Sequence, residues 1–88
     1  MKLTDNTIFI TGATSGIGRG LAEAFHRLGN QVIISGRRKE LLEEVTVANP
    51  GMQAIELDIA DPASIKSVAD WLKNAHPSLN VLINNAGL

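Results

Sequence analysis

Short apolar runs alternate along this chain with longer stretches in which apolar residues recur every three or four positions. The two periods separate strands from helices, because side chains alternate faces in a strand and repeat every 3.6 residues in a helix. Thr7-Ile8-Phe9-Ile10-Thr11 is too short for a helix and predicts a first strand. From Ile17 to Leu28 the spacing changes: Ile17, Leu21, Ala24, Phe25 and Leu28 form one apolar stripe, with Arg19, Glu23 and Arg27 on the wet side. Gly29 closes that helix. The next run, Gln31 to Ser35, is almost continuously apolar, as suits a strand covered on both faces. A second helix is predicted from Arg38 to Ala48, with Leu41, Leu42 and Val45 inward and Glu40, Glu43 and Glu44 in solvent; Asn49-Pro50-Gly51 stops it. Gln53 to Leu57 reads as a third strand. Asp61 can cap the free N–H groups of a third helix that Pro62 opens. Ile65, Val68, Ala69 and Leu72 share the apolar face of that helix, and His76-Pro77 ends it. A fourth strand, Asn80 to Asn84, leads into Asn85-Ala86-Gly87.

Strands that alternate with helices predict an α/β fold whose sheet is parallel and built from βαβ units. Right-handed crossovers make the strand order 3-2-1-4, which is the N-terminal half only of a Rossmann-type sheet with helices on both faces. The fourth strand then lies at an edge, so Val81, Leu82 and Ile83 are expected to expose apolar side chains and the isolated 88-residue polypeptide to associate through them. Ligands of such sheets sit outside the carboxyl ends of the strands, near the point where strand order reverses. Here that point lies between the first and fourth strands.

The turn at that point, Thr11-Gly12-Ala13-Thr14-Ser15-Gly16-Ile17-Gly18, carries the strongest chemical signal. Glycines at 12, 16 and 18 let backbone approach a bulky anion, since no Cβ intervenes and positive φ is accessible. The N–H groups of the following helix, with the positive end of its dipole behind them, face the same place. This predicts a pyrophosphate seat. The spacing G-x-x-x-G-x-G, with no lysine after the last glycine, fits neither the common dinucleotide fingerprint nor the nucleoside-triphosphate loop. After the second strand, an NAD-selective site would hold a carboxylate for the adenosine ribose. This chain has Gly36 there, followed by Arg37 and Arg38, whose forked donors suit phosphate oxygens. Two cations at a helix start oppose its dipole, which counts against their being ordinary solvated charges.

The T-G-x-x-x-G-I-G turn resembles that of the short-chain dehydrogenase/reductase family, and the resemblance continues through Gly36-Arg37, Asp58-Ile59 and Asn84-Asn85-Ala86-Gly87. It implies that residues 1–88 are the N-terminal NADP-binding part of such a domain, stopping after the fourth strand. Gly12, Thr14, Ser15, Gly16, Ile17 and Gly18 would then hold the pyrophosphate, and Arg37 with Arg38 the 2′-phosphate of NADP. Many NADP-preferring members also carry a basic residue where this chain has Ser15, so selectivity would rest mainly on Arg37. Asp58 would accept the adenine amino group beside the Ile59 N–H; its other reading is a polar strand end or a cap. Asn85, Ala86 and Gly87 would pack against the cofactor ribose, while Asn84 and Asn85 could equally hold the fourth strand by bonding backbone.

The resemblance also implies hydride transfer at a carbonyl or alcohol centre of a small substrate whose pocket comes from later loops. The family's tyrosine, lysine, serine and asparagine all lie beyond the fourth strand. This chain has no tyrosine, so no catalytic residue is assigned to it and it is expected to be inactive alone. The alternative is a non-catalytic dinucleotide-binding sensor or interaction module. The whole protein is expected to be a homo-oligomer.

Charge and composition remove other functions. A net charge of −1 and a pI near 6.0 give no field for nucleic acid or an anionic membrane. The absence of cysteine rules out disulfides and thiolate metal sites, and no apolar run approaches a membrane span. A cytoplasmic setting is the expectation. His26 and His76 read as surface histidines, and Trp71 as a packing residue.

Overall fold

The computed structural model describes residues 2–85. Its elements run β1 (Thr7–Thr11), α1 (Gly16–Arg27), β2 (Gln31–Gly36), α2 (Lys39–Ala48), β3 (Gln53–Glu56), α3 (Pro62–Ala75) and β4 (Val81–Asn84). The four strands form one parallel sheet in the order β3-β2-β1-β4, the order that right-handed crossovers predict. Register places Ile8 beside Val32 on one side and Val81 on the other.

Alternation along the central strands divides the core in two. Ile8, Ile10, Val32 and Ile34 are fully buried on one face, packed with Ala13, Ala22, Leu42, Val45 and Met52. Phe9 and Ile33 point the other way, onto Leu57 and Val68, with Trp71 and Leu72 at the margin. Burying each such branched or aromatic side chain contributes about 1.5–3 kcal/mol, so β1 and β2 dominate the stability of the sheet. Asp61 caps α3 as expected, its Oδ1 accepting from the Ala63 N–H at 3.0 Å with Pro62 in the first turn.

Three expectations about burial change. In α1 the covered stripe is Gly18 and Ala22, with Leu21 and Phe25 half-buried, whereas Ile17 is 76% exposed and Ala24 and Leu28 also face outward. Gly18 lies against the preceding turn, and that close approach turns the helix so that 18, 21, 22 and 25 meet the sheet. Ile17 is about 100° away from that face. In α3, Val68 is buried, but Ile65 and Ala69 are exposed. The predicted stripe does face the sheet's edge; there it lines an apolar groove with Leu72, Leu79 and Leu82 that no described residue covers. On β4 only Leu82 and Asn84 are exposed, since Val81 and Ile83 pack against the Ile8 and Ile10 side of the core. Trp71 is half-buried and meets the His76 ring edge-on at 5.1 Å.

At the amino end of the sheet, Asn6, Asn30 and Asn80 form one hydrogen-bonded set. Asn30 Oδ1 accepts from the Asn6 N–H at 2.9 Å and from Asn6 Nδ2 at 3.1 Å, while its Nδ2 donates to the Leu3 and Phe25 carbonyls. Asn80 Nδ2 donates to Asn6 Oδ1 and Asn80 Oδ1 accepts from the Thr7 N–H, both at 2.9 Å.

Candidate functional site

The glycine turn is held from two sides, by β2 and by the end of β4. Ala13 donates its N–H to the Ser35 carbonyl at the end of β2 (3.2 Å), and Asn85 Nδ2 donates to the Gly12 carbonyl (2.9 Å). The Asn85 N–H also donates to Thr11 Oγ1, which donates to Asn84 Oδ1. Gly12 and Gly16 have φ of 64° and 59°, the left-handed region that favours glycine. Gly18 is needed for a different reason: a Cβ there would lie 2.6 Å from the Gly12 carbonyl oxygen and collide with Asn85 Nδ2.

The turn leads into a helix start that is left open. Ser15 is the N-cap of α1, yet its side chain makes no capping bond and the first turn holds no acidic residue. The N–H groups of the first turn therefore have no side-chain acceptor among the described residues, and they gather partial positive charge at the carboxyl end of the sheet. The start of α2 is open only in part: Arg38 is an N-cap whose side chain does not cap, but the first turn holds Glu40. Between these two starts lies a cleft of about 370 Å³ lined by Gly12, Thr14, Ser35, Gly36, Arg37, Arg38, Leu41, Leu57 and Ile59. Arg37 is exposed at its mouth and makes no hydrogen bond or ion pair with any described residue. Arg38 differs, since its Nε is 3.1 Å from Glu40 Oε1. The Glu40 carboxyl is held below the usual carboxylate range, first by its own backbone N–H and then by Arg38.

A family model described as short chain dehydrogenase matches residues 6–88. The chain belongs to the short-chain dehydrogenase family. It is 42% identical to the uncharacterized oxidoreductase DltE of Bacillus subtilis, over all of this chain and 35% of that protein. It is 40% identical to the uncharacterized oxidoreductase YxbG of the same organism, over 99% of this chain and 33% of that one. A crystal structure of a short-chain dehydrogenase from Streptomyces avermitilis superposes with a TM-score of 0.85 at 37% identity, covering 93% of this chain and 31% of that chain. The chain thus spans about a third of the length of the relatives it matches. Short-chain dehydrogenases are oxidoreductases, and the family implies a nicotinamide dinucleotide cofactor.

The residues present fit the adenosine and pyrophosphate portion of such a cofactor. Leu41, Leu57 and Ile59 give apolar walls, the open start of α1 gives anion donors, and Gly12 and Gly36 keep side chains out of the way. Ser35 Oγ is the only buried side-chain polar atom without a hydrogen-bond partner among the described residues, and Ser35 belongs to this cleft.

Most of the sequence-predicted site residues converge here, with two distinctions. Gly12, Thr14, Arg37, Arg38 and Ile59 line the cleft, while Ser15, Gly16, Ile17 and Gly18 form the helix start beside it. Asp58 does not line it; its Oδ1 accepts from the Ala60 N–H at 3.0 Å and its own N–H donates to Ser64 Oγ, so the residue shapes the turn into α3. Asn85 braces the glycine turn, as its bonds to Gly12 and Thr11 show, and Ala86 and Gly87 lie outside the described residues. Sequence reasoning passes over Ser35, Leu41 and Leu57. The sequence marks Ser35 only as a polar residue near the end of β2; its place beside Thr11, the last of β1, comes from the register. No group of three His, Cys, Asp or Glu residues among those described could hold a metal ion, and no described helix is long and apolar enough to cross a membrane.

Proposed function

We propose that this chain binds the adenosine and pyrophosphate half of NADP(H), as the N-terminal part of an oxidoreductase that moves hydride to or from a carbonyl or alcohol carbon of a small molecule. The observation that carries the choice of NADP(H) over NAD(H) is Arg37, a guanidinium at the mouth of the cleft with no partner among the described residues. Beside it stands Gly36, where a ribose-binding carboxylate would repel a 2′-phosphate. A charge-assisted hydrogen bond from Arg37 to that phosphate contributes about 1.5–3 kcal/mol, or roughly ten- to hundredfold in affinity. It also resolves the electrostatic cost of Arg37 and Arg38 at the start of α2, because the phosphate sits between cations that otherwise oppose the helix dipole.

Within this reading the turn at 12–18 holds the pyrophosphate through backbone N–H groups, and Leu41, Leu57 and Ile59 enclose the adenine edge of the cleft. Asp58, between the lining residues Leu57 and Ile59, would offer Oδ2 to the adenine amino group while Oδ1 holds the Ala60 N–H, and Ala86 and Gly87 would leave room for the ribose. The reading extends to a homo-oligomeric whole protein working in the cytoplasm. Calorimetric titration with NADPH and NADH tests it: NADPH is expected to bind at least about tenfold more tightly. Uptake of neither, or a preference for NADH, overturns it. Oxidation of NADPH by the whole protein against a panel of carbonyl compounds then tests the reaction class.

A further inference from the structure

The cleft contains a steric relation that bears on its cofactor choice. A Cβ built on Gly36 lies 2.8 Å from Thr14 Cγ2 and 3.5 Å from Leu42 Cδ2. The first contact is too close for any real pair of carbons, so a side chain at 36 requires Thr14 to move. Neither backbone is free to give way. The Ser35 carbonyl accepts from the Ala13 N–H at 3.2 Å, which fastens the glycine turn to β2 one residue before Thr14. The Gly36 carbonyl accepts from the Leu57 N–H at 2.9 Å, and Gly36 is in register with Glu56 on β3. Relief must therefore come from χ1 of Thr14. That torsion is stiff in a β-branched residue, and two of its three staggered positions keep a heavy atom towards Gly36.

We propose that Thr14 is a second determinant of cofactor choice: it excludes a side chain at position 36, and so keeps from the cleft the carboxylate that an NAD(H)-selective site would need. The inference rests on the NADP(H) reading above for its consequence, though the steric relation itself does not. On this view selectivity has an attractive part, Arg37, and a repulsive part, the Thr14 methyl against position 36, which acts on the sequence the cleft can accept. Changing residue 36 alone disturbs the turn instead of converting the site.

The test is a cycle of the protein itself with Thr14→Ala, Gly36→Asp and the pair, each titrated calorimetrically with NADP+ and NAD+. Gly36→Asp alone is expected to lose about tenfold or more in affinity for both coenzymes, the equivalent of ordinary overpacking. Adding Thr14→Ala is expected to restore NAD+ binding to at least its original strength while NADP+ stays weak. A Gly36→Asp protein that binds NAD+ as tightly as the double variant overturns the proposal. A second cycle with Gly36→Ala, read by thermal melting, removes the charge and decides the matter where the aspartate variants do not fold. Gly36→Ala should lower Tm and Thr14→Ala should recover most of the loss; additive changes overturn the steric relation. Failure of the NADP(H) reading shows separately, in the unsubstituted protein's preference, and leaves the melting cycle interpretable.

Discussion

The two ends of the sheet handle their polar groups in opposite ways. At the amino end, Asn6, Asn30 and Asn80 satisfy one another and four nearby backbone groups besides that of Asn6 itself, those of Lys2, Leu3, Thr7 and Phe25. At the carboxyl end, among the described residues, the start of α1 has no side-chain acceptor, Ser35 Oγ is buried without a partner, and Arg37 is unpaired. Both ends are built from small polar residues and tight turns, so composition does not distinguish them. The difference is that one end closes its hydrogen bonds within the chain and the other leaves donors facing a cleft. Of these groups only Ser35 Oγ is buried, and leaving it open costs free energy that a ligand partner recovers; the exposed N–H groups and Arg37 exchange water for the ligand's acceptors.

The sharpest way to break this contrast is Gly18→Ala. The added methyl would meet the Gly12 carbonyl oxygen at 2.6 Å and the Asn85 side chain that braces the turn. Both pieces are backbone or backbone-anchored, so the strain is expected near the upper end of the usual overpacking range, about 3 kcal/mol, with cofactor affinity falling about a hundredfold. Urea unfolding and calorimetry read the two losses. Should Gly18→Ala bind and unfold like the parent, the turn is not a rigid seat.

The matching change at the other end is Asn30→Ala, which strands the Asn6 N–H and the Leu3 carbonyl and leaves the Phe25 carbonyl with only the backbone N–H of residue 30. Loss of stability should be about 2 kcal/mol, since water reaches part of this set, and the expected change in coenzyme affinity is within about twofold. A large loss of affinity in protein that remains folded would mean that the two ends are coupled and the division between them is wrong.

A smaller effect, confined to the open end, comes from Arg37→Asp. It removes the unpaired guanidinium and places a carboxylate near a ribose, so the ratio of NADP+ to NAD+ affinity should fall by at least about tenfold. The measurement is the pair of Kd values. An unchanged ratio would leave Arg37 as a solvated charge and remove the reason to distinguish the coenzymes.

How much of the molecule is legible in its sequence depends on how local each cause is. The element order and the glycine turn can be read because strand and helix periods, Asp61-Pro62 and Asn49-Pro50-Gly51 all act within a few residues. The phase of α1 cannot. An apolar stripe drawn through Ile17 and Leu28 ignores Gly18 and Ala22, which have little side chain to signal burial yet make the closest approach. Ser35 ends an apolar strand and reads as a strand end; its burial shows only once β1 and β3 flank it. For Asp58 the same carboxylate suits a turn or an adenine, and only the Ala60 N–H at 3.0 Å reveals which oxygen is engaged.

The least effect is expected from acid, and it too should fall on the closed side of the molecule. Asn49 ends α2, where it donates from Nδ2 to Glu23 Oε2 on α1 at 2.8 Å and to the Val45 carbonyl at 2.9 Å. That hydrogen bond, seconded by Arg19, holds the Glu23 carboxyl below its ordinary value of 4.5. A depressed carboxylate pKa in the folded state stabilises the fold above the unfolded value, and the contribution fades as pH falls below 4.5 and through the lower folded value. Comparing Tm of the protein and of Glu23→Gln from neutral to acid pH should therefore show a gap that is constant near neutrality and narrows in acid. Because Glu23 is not among the residues lining the cleft, coenzyme preference should stay the same across that range in both proteins. A gap that does not narrow would show that Glu23 contributes by packing alone, and a preference that tracks it would join the α1–α2 contact to the open end.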